Sequence, residues 1–396
     1  MRIFPFMAAA VAAVLVGACG GGGGNSGLAS SNSAGGIFSS GLAACPAGNA
    51  VFTTAPVALE NVQGWVPLGQ FNPPGHTFPT DHQYLYTTLF GNPASAQQTV
   101  PVVAPADIRI TAVWRMTTNN TSDYTVFFQP CADLGARFGH IVTLTPEIVA
   151  AAGPIDRGCQ TYQASPGSST TLCQSASFRL DVPAGRTIGT LGGGGSTVLD
   201  WWLQDRRIAP LHFANPARFS AGGDVGGFDT FHTVAASDYF VAAASPQVAA
   251  KVGRYDGSVH RTAAPLGGTI AVDVDGTARG HWFHPTQPYP PESFHAALAP
   301  DPIEPDKRQV FSLGAGLAGA PFFATFTPQA GGLVNRAFES VTADGNVHCY
   351  ETSRPAVVLV QLLDAATLKL EVKSQASACA AVQPWSFGAG AVTYKR

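Results

Sequence analysis

Downstream of residue 44 the apolar positions fall in short runs rich in Val, Ile, Thr and aromatic residues, each bounded by turn residues, which is the pattern of strands rather than of helices. Val100–Val113 reads as two strands around a tight turn, and Tyr124–Phe128, Thr269–Val274, Val357–Leu363 and Leu368–Val372 read as single strands. Helical periodicity is scarce. Pro146–Ala152 predicts one short helix with Thr145 at its N-cap and Pro in the first helical position, and Pro246–Val252 predicts another. No repeat of fixed period is visible, so the expected class is all-β.

The first residues follow a different pattern. Met1-Arg2 is a minimal basic region, Ile3–Val16 is apolar, and Val16-Gly17-Ala18 places small residues directly before Cys19. This is similar to a bacterial lipoprotein signal, which implies cleavage before Cys19 and acylation of its thiol. The apolar stretch is too short for a bilayer core that needs ~20 residues. Residues 1–18 are therefore expected to be removed, and residues 19–44, rich in Gly, Ser, Asn and Ala, to form a tether between a membrane anchor and the folded part. Gly20 after the lipid cysteine favours the outer membrane of the bacterial envelope over the inner.

Composition narrows the class further. Charged residues make up 12% of the 396, about half the usual ~25%, and 22 Lys+Arg against 25 Asp+Glu leave a net charge of −3. No basic face exists to hold a phosphate backbone, which excludes nucleic acid as a partner. The hydrophobic share of 45% excludes disorder despite 44 Gly and 30 Pro. Without Cys19, the cysteines are Cys45, Cys131, Cys159, Cys173, Cys349 and Cys379, an even set in an exported chain. Proximity in sequence pairs Cys159 with Cys173 and Cys349 with Cys379, which leaves Cys45 for Cys131. No C-x-x-C spacing points to a thiolate metal site.

Candidate chemistry lies between Gly75 and Asp205. The segment Gly75-His76-Thr77-Phe78-Pro79-Thr80-Asp81-His82 gathers two imidazoles and a carboxylate, and all three side chains are competent zinc ligands. The competing reading makes Asp81 a turn cap and leaves the histidines on backbone carbonyls. Phe138-Gly139-His140-Ile141 presents another histidine at a strand end, and Val182-Pro183-Ala184-Gly185 leads through Ile188-Gly189 to Val198-Leu199-Asp200.

This order of motifs resembles the lysostaphin-type zinc endopeptidases that cut peptidoglycan cross-bridges. The resemblance implies a duplicated hybrid β-barrel/sandwich domain. A change of sequence texture after Asp205-Arg206-Arg207, where a loop-rich stretch with Asn215-Pro216 and Gly222-Gly223 leads into a second strand series, ends that domain near residue 212. It is therefore expected over 45–212, and a second β-rich domain over 213–396. The resemblance implies zinc held by His76 and Asp81, with Asp200 as the third ligand, and His140 as the catalytic histidine; the residue types also leave His82 as an alternative ligand. Two departures stand out: His76 and Asp81 are five residues apart rather than four, and Val198-Leu199-Asp200 stands where the family has a His-x-His pair. Val198 cannot move a proton, and a second carboxylate on the metal makes its bound water less acidic. The resemblance, confined to about residues 66–205, therefore favours a degenerate site that binds cell wall or an envelope partner, the alternative being an active zinc endopeptidase. Beyond residue 212, His281-Trp282-Phe283-His284 reads as an aromatic strand end with exposed histidines, and Trp282, Tyr289 and Trp385 are candidates for a sugar-stacking surface.

Overall fold

The computed structural model describes residues 38–165, 168–222, 229–317 and 321–396. The signal segment 1–18, Cys19 and the tether up to residue 37 lie outside them. Among the described residues, no helix is long and apolar enough to cross a membrane.

The fold is β-rich and its sheets are antiparallel. Up to Asp205 the strands are β1 (Val62–Val66), β2 (Gln83–Thr87), β3 (Thr99–Val103), β4 (Ile108–Thr118), β5 (Thr121–Cys131), β6 (Leu134–Ile141), β7 (Thr143–Leu144), β8 (Ile155–Ser165), β9 (Ser168–Ser175), β10 (Leu180–Val182), β11 (Thr187–Gly192) and β12 (Val198–Asp205). The large sheet runs β1-β2-β12-β6-β5-β4-β9-β8 with β10 beside β4, and β3-β11-β7 form a second sheet. Later strands make two four-stranded sheets. One holds β13 (Gly280–Trp282), β14 (Ala296–Pro300), β15 (Gln309–Leu313) and β16 (Phe322–Phe326); the other holds β17 (His348–Glu351), β18 (Val357–Asp364), β19 (Thr367–Lys373) and β20 (Val392–Lys395). Among the described residues none of these sheets closes into a barrel.

The predicted Val100–Val113 pair divides between sheets instead of forming a hairpin. Pro101 and Pro105 lack a backbone donor, and β3 lies at the edge of its sheet, where a missing N–H is tolerated, paired only to β11. Thr269–Val274 is not a strand. Ile270 and Val272 are buried as a strand pattern demands, yet the Ala271 N–H donates to Thr269 Oγ1 and the Val274 N–H to the Arg279 carbonyl, which leaves no ladder. The Pro146–Ala152 helix forms as expected, although Thr145 caps it without a side-chain hydrogen bond. The second helix is shorter than predicted, Ser245–Ala249.

One core joins Trp65, Leu85, Phe128, Phe138, Leu199 and Trp201 of the large sheet to Phe52, and to Tyr239, Phe240, Val248 and Val252 from beyond residue 212. Trp201 is its hub, 4.9 Å from the Phe52 ring and 5.0 Å from Phe138. A second cluster joins Leu68, Phe71 and Phe78 to Phe213, Phe219, Phe283 and Val310. Residue 212 thus marks a change of sequence texture but not a break in packing. The cysteines pair Cys45–Cys131, Cys159–Cys173 and Cys349–Cys379. Trp282 is fully buried and donates to the Ala278 carbonyl, so it offers no sugar-stacking face. His281, expected to be exposed, is also buried, because its Nδ1 meets the buried Asp273 carboxylate at 3.0 Å.

Candidate functional site

Strand alternation builds the site face. Along β12 the side chains of Leu199, Trp201 and Leu203 enter the core, so Val198, Asp200 and Trp202 share the opposite face. Asp200 stands across from Tyr84 on β2 and from Gly139 on β6. Gly139 has no substitute without movement: a Cβ there would lie 2.9 Å from the Trp202 ring and 3.3 Å from Asp200 Cβ. The next residue, His140, is the penultimate residue of β6 and has φ of 64°, a left-handed conformation that costs a non-glycine residue ~1–3 kcal/mol and is held only by its surroundings.

His76, Asp81 and His82 arrive on the loop that precedes β2. The loop is pinned at one turn by reciprocal backbone bonds between Asn72 and His76, and at the other by Thr80, whose N–H and Oγ1 both donate to the Gln70 carbonyl. His82 then lies 3.9 Å, centroid to centroid, from Trp202, with the Arg137 guanidinium 4.0 Å from the Trp202 ring.

The five site residues suggested by sequence come together. Asp200 Oδ2 is the focus, 3.2 Å from His140 Nε2 and 3.5 Å from His82 Nε2. Each imidazole is held from behind by a second carboxylate: His140 Nδ1 meets Asp123 Oδ2 at 2.7 Å, and His82 Nδ1 meets Asp81 Oδ1 at 2.9 Å. Asp81 Oδ1 also accepts from Trp202 Nε1 at 3.0 Å, so it faces His82 and Trp202 while His82 faces Asp200. The His76 ring lies 5.4 Å from that of His82.

The charge states follow from this geometry. Burial would lower His140, but the Asp200 and Asp123 carboxylates override it and hold the imidazolium well above the usual histidine range. Burial pushes His76 down to about 4, and the proximity of His82 adds to the effect. Burial opposes ionisation of Asp200, yet His140 and His82 keep it below the usual carboxylate range. For Asp81 the desolvation penalty is outweighed by the His82 hydrogen bond and nearby positive groups, which bring it to about 2. Its side chain keeps 40% of its surface in solvent, so screening trims that shift. Burial and Asp200 raise the Tyr84 phenol well above its ordinary value.

The donor set suits zinc in kind, being imidazole nitrogen and carboxylate oxygen. The 3.2 and 3.5 Å spacings around Asp200 match the ~3.3 Å edge of a tetrahedron with bonds of ~2.0–2.1 Å. The carboxylates behind each imidazole supply the outer shell that metal-bound histidines need. Among the described residues, however, no three such side chains are gathered about one metal position.

Sequence reading missed Asp123, Trp202 and Tyr84. Asp123 was legible in principle: counting outward from the turn, where Cys131 pairs with Leu134, brings Tyr124 opposite Ile141 and so Asp123 beside His140. No known protein family, curated protein or solved structure matches this chain.

Proposed function

We propose that this is a bacterial envelope lipoprotein, anchored through Cys19 to the outer membrane, whose lysostaphin-like β scaffold binds peptidoglycan or an envelope protein rather than cutting cross-bridges efficiently. The observation that supports this reading is the double engagement of His140. With Nδ1 on Asp123 and Nε2 on Asp200, and the ring held cationic, His140 has no free lone pair to act as a general base. Val198, across from Tyr86 on β2, replaces the other histidine with a side chain that transfers no proton. What remains is a preorganised, largely buried cluster of carboxylates, imidazolium and aromatic rings that reaches solvent chiefly at Asp81.

One observation favours the alternative, an active zinc endopeptidase: the 3.5 Å spacing of Asp200 Oδ2 from His82 Nε2. In that case His76, His82 and Asp200 would hold the ion, with Asp81 orienting His82 and Asp123 orienting His140 as the catalytic histidine. Bound zinc would polarise a peptide carbonyl and acidify its water. The decisive test is elemental analysis of the purified mature protein, together with co-sedimentation on isolated sacculi and muropeptide release. Sacculus or partner binding that survives chelation, without release, is expected. Zinc near one equivalent, with release that chelation abolishes, would overturn the binding reading in favour of the enzyme.

A further inference from the structure

The C-terminal half contributes to the loop that carries His76 and His82. Phe78, midway along that loop and 2% exposed, sits in an aromatic cage formed largely by later residues. Its ring stacks on His295 at 5.5 Å with planes 14° apart, and lies 4.9 Å from His281, 5.1 Å from Phe283 and 5.6 Å from Tyr289. The cage is itself fixed: the Pro288 carbonyl takes His295 Nε2 at 3.1 Å, and His295 Nδ1 accepts the His284 N–H at 3.0 Å. Alongside, Glu292 Oε2 accepts the Phe78 backbone N–H at 2.8 Å across a sequence separation of 214. That N–H belongs to an irregular loop and has no strand partner, so the Glu292 carboxyl oxygen satisfies a donor that the local fold leaves open.

We infer that Glu292, supported by the cage around Phe78, is a positioning residue that sets the 76–82 loop against Asp200, and that the second half of the chain thereby completes the site. The inference rests on the reading that this loop belongs to a binding or catalytic site. Burial pushes the Glu292 carboxyl up to about 8, so near neutral pH its oxygen accepts the Phe78 N–H mainly as a neutral acid, an acceptor that the amide oxygen of Gln reproduces. Removal of the carboxyl leaves the Phe78 N–H unpaired, which favours local opening of the loop while β5 and β6 stay paired.

Hydrogen exchange of the full mature chain, read by peptide mass spectrometry, tests this. Glu292→Ala is expected to speed exchange of the peptide spanning residues 70–82 about tenfold, with the peptide spanning residues 121–141 unchanged and sacculus binding weakened in parallel. Glu292→Gln, whose amide oxygen still accepts the N–H, is expected to restore most of the protection. If Glu292→Ala does not fold, Phe78→Leu, which trims the stack on His295, is expected to give the same localised pattern. Exchange that rises equally throughout the chain, or that leaves residues 70–82 untouched, would overturn the positioning role. Failure of the wild-type protein to bind sacculi would instead count against the functional reading, because the exchange pattern does not depend on it.

Discussion

Replacing Asp123 with Asn removes a charge behind His140 while leaving an oxygen that Nδ1–H can still donate to. The wild-type contact is a 2.7 Å hydrogen bond between side chains that are 17% and 20% exposed, so solvent screens it little. Charged hydrogen bonds of this kind contribute about 1.5–3 kcal/mol, and a neutral amide keeps roughly half of that. The lost difference, about 0.8–1.5 kcal/mol, lowers the His140 titration midpoint by roughly half to one pH unit at 1.36 kcal/mol per unit. The sign is fixed by the direction of the native shift. Because the folded-state pKa is raised above the unfolded value, the stabilisation is fully present below about pH 6.5 and is lost as pH rises through the elevated folded-state value. Asn at residue 123 should therefore destabilise the protein in mildly acidic buffer, with the gap narrowing in alkaline buffer. The His140 ring resonance, followed by NMR against pH, reads the midpoint directly, and urea unfolding at two pH values reads the stability. A wild-type His140 that titrates near pH 6.5, or a midpoint that Asp123→Asn leaves in place, would refute the clamped imidazolium and remove the main support for the binding reading.

Three further outcomes follow from the same structure. Cys19→Ser should release the protein from the membrane fraction after a salt wash; retention would contradict the lipid anchor. Opening the Cys159–Cys173 loop, of sequence separation 14, should cost about 3 kcal/mol, and opening Cys45–Cys131, of separation 86, about 4.6 kcal/mol by chain entropy; thiol titration of the unfolded, unreduced mature chain should find none of the six cysteines free. Asp200, whose folded-state pKa is depressed, contributes stability that is present above about pH 4 and lost as pH falls through its lowered value, so Asp200→Asn should flatten the acid limb of the stability curve measured in urea.

What the sequence revealed and what it hid divide along physical lines. Strand density, the 146–152 helix and the Cys159–Cys173 and Cys349–Cys379 pairs were legible because they depend on composition and short separations, and Cys45–Cys131, 86 residues apart, followed by elimination. His76, His82, His140 and Asp200 were legible as chemistry, because imidazoles and carboxylates beside Gly and Pro stand out in a chain with few charged residues. The path of β3 was not, because a strand pattern states which face is buried but not which edge is paired. Thr269–Val274 misled for the same reason: Ile270 and Val272 alternate into the core while their backbone finds partners in turns and side chains. Glu292 was hidden most completely, since a glutamate among prolines carries no mark of a donor 214 residues away.

The Cys45–Cys131 bridge also decides how the protein carries load. Phe38 sits under the Arg206 guanidinium and packs near Trp114 and Phe127, Ser39 bonds to Gln129, and Cys45 is welded to the last residue of β5 in the interior of the large sheet. Tension applied to the N-terminal segment therefore enters at an interior strand instead of peeling β1 from its edge. Its covalent route runs from Cys45 straight to Cys131, so the backbone of residues 46–130, with His76, Asp81, His82 and Asp123 on it, is bypassed for as long as the disulfide is intact, and load enters that stretch through the side-chain contacts of Phe38 and Ser39.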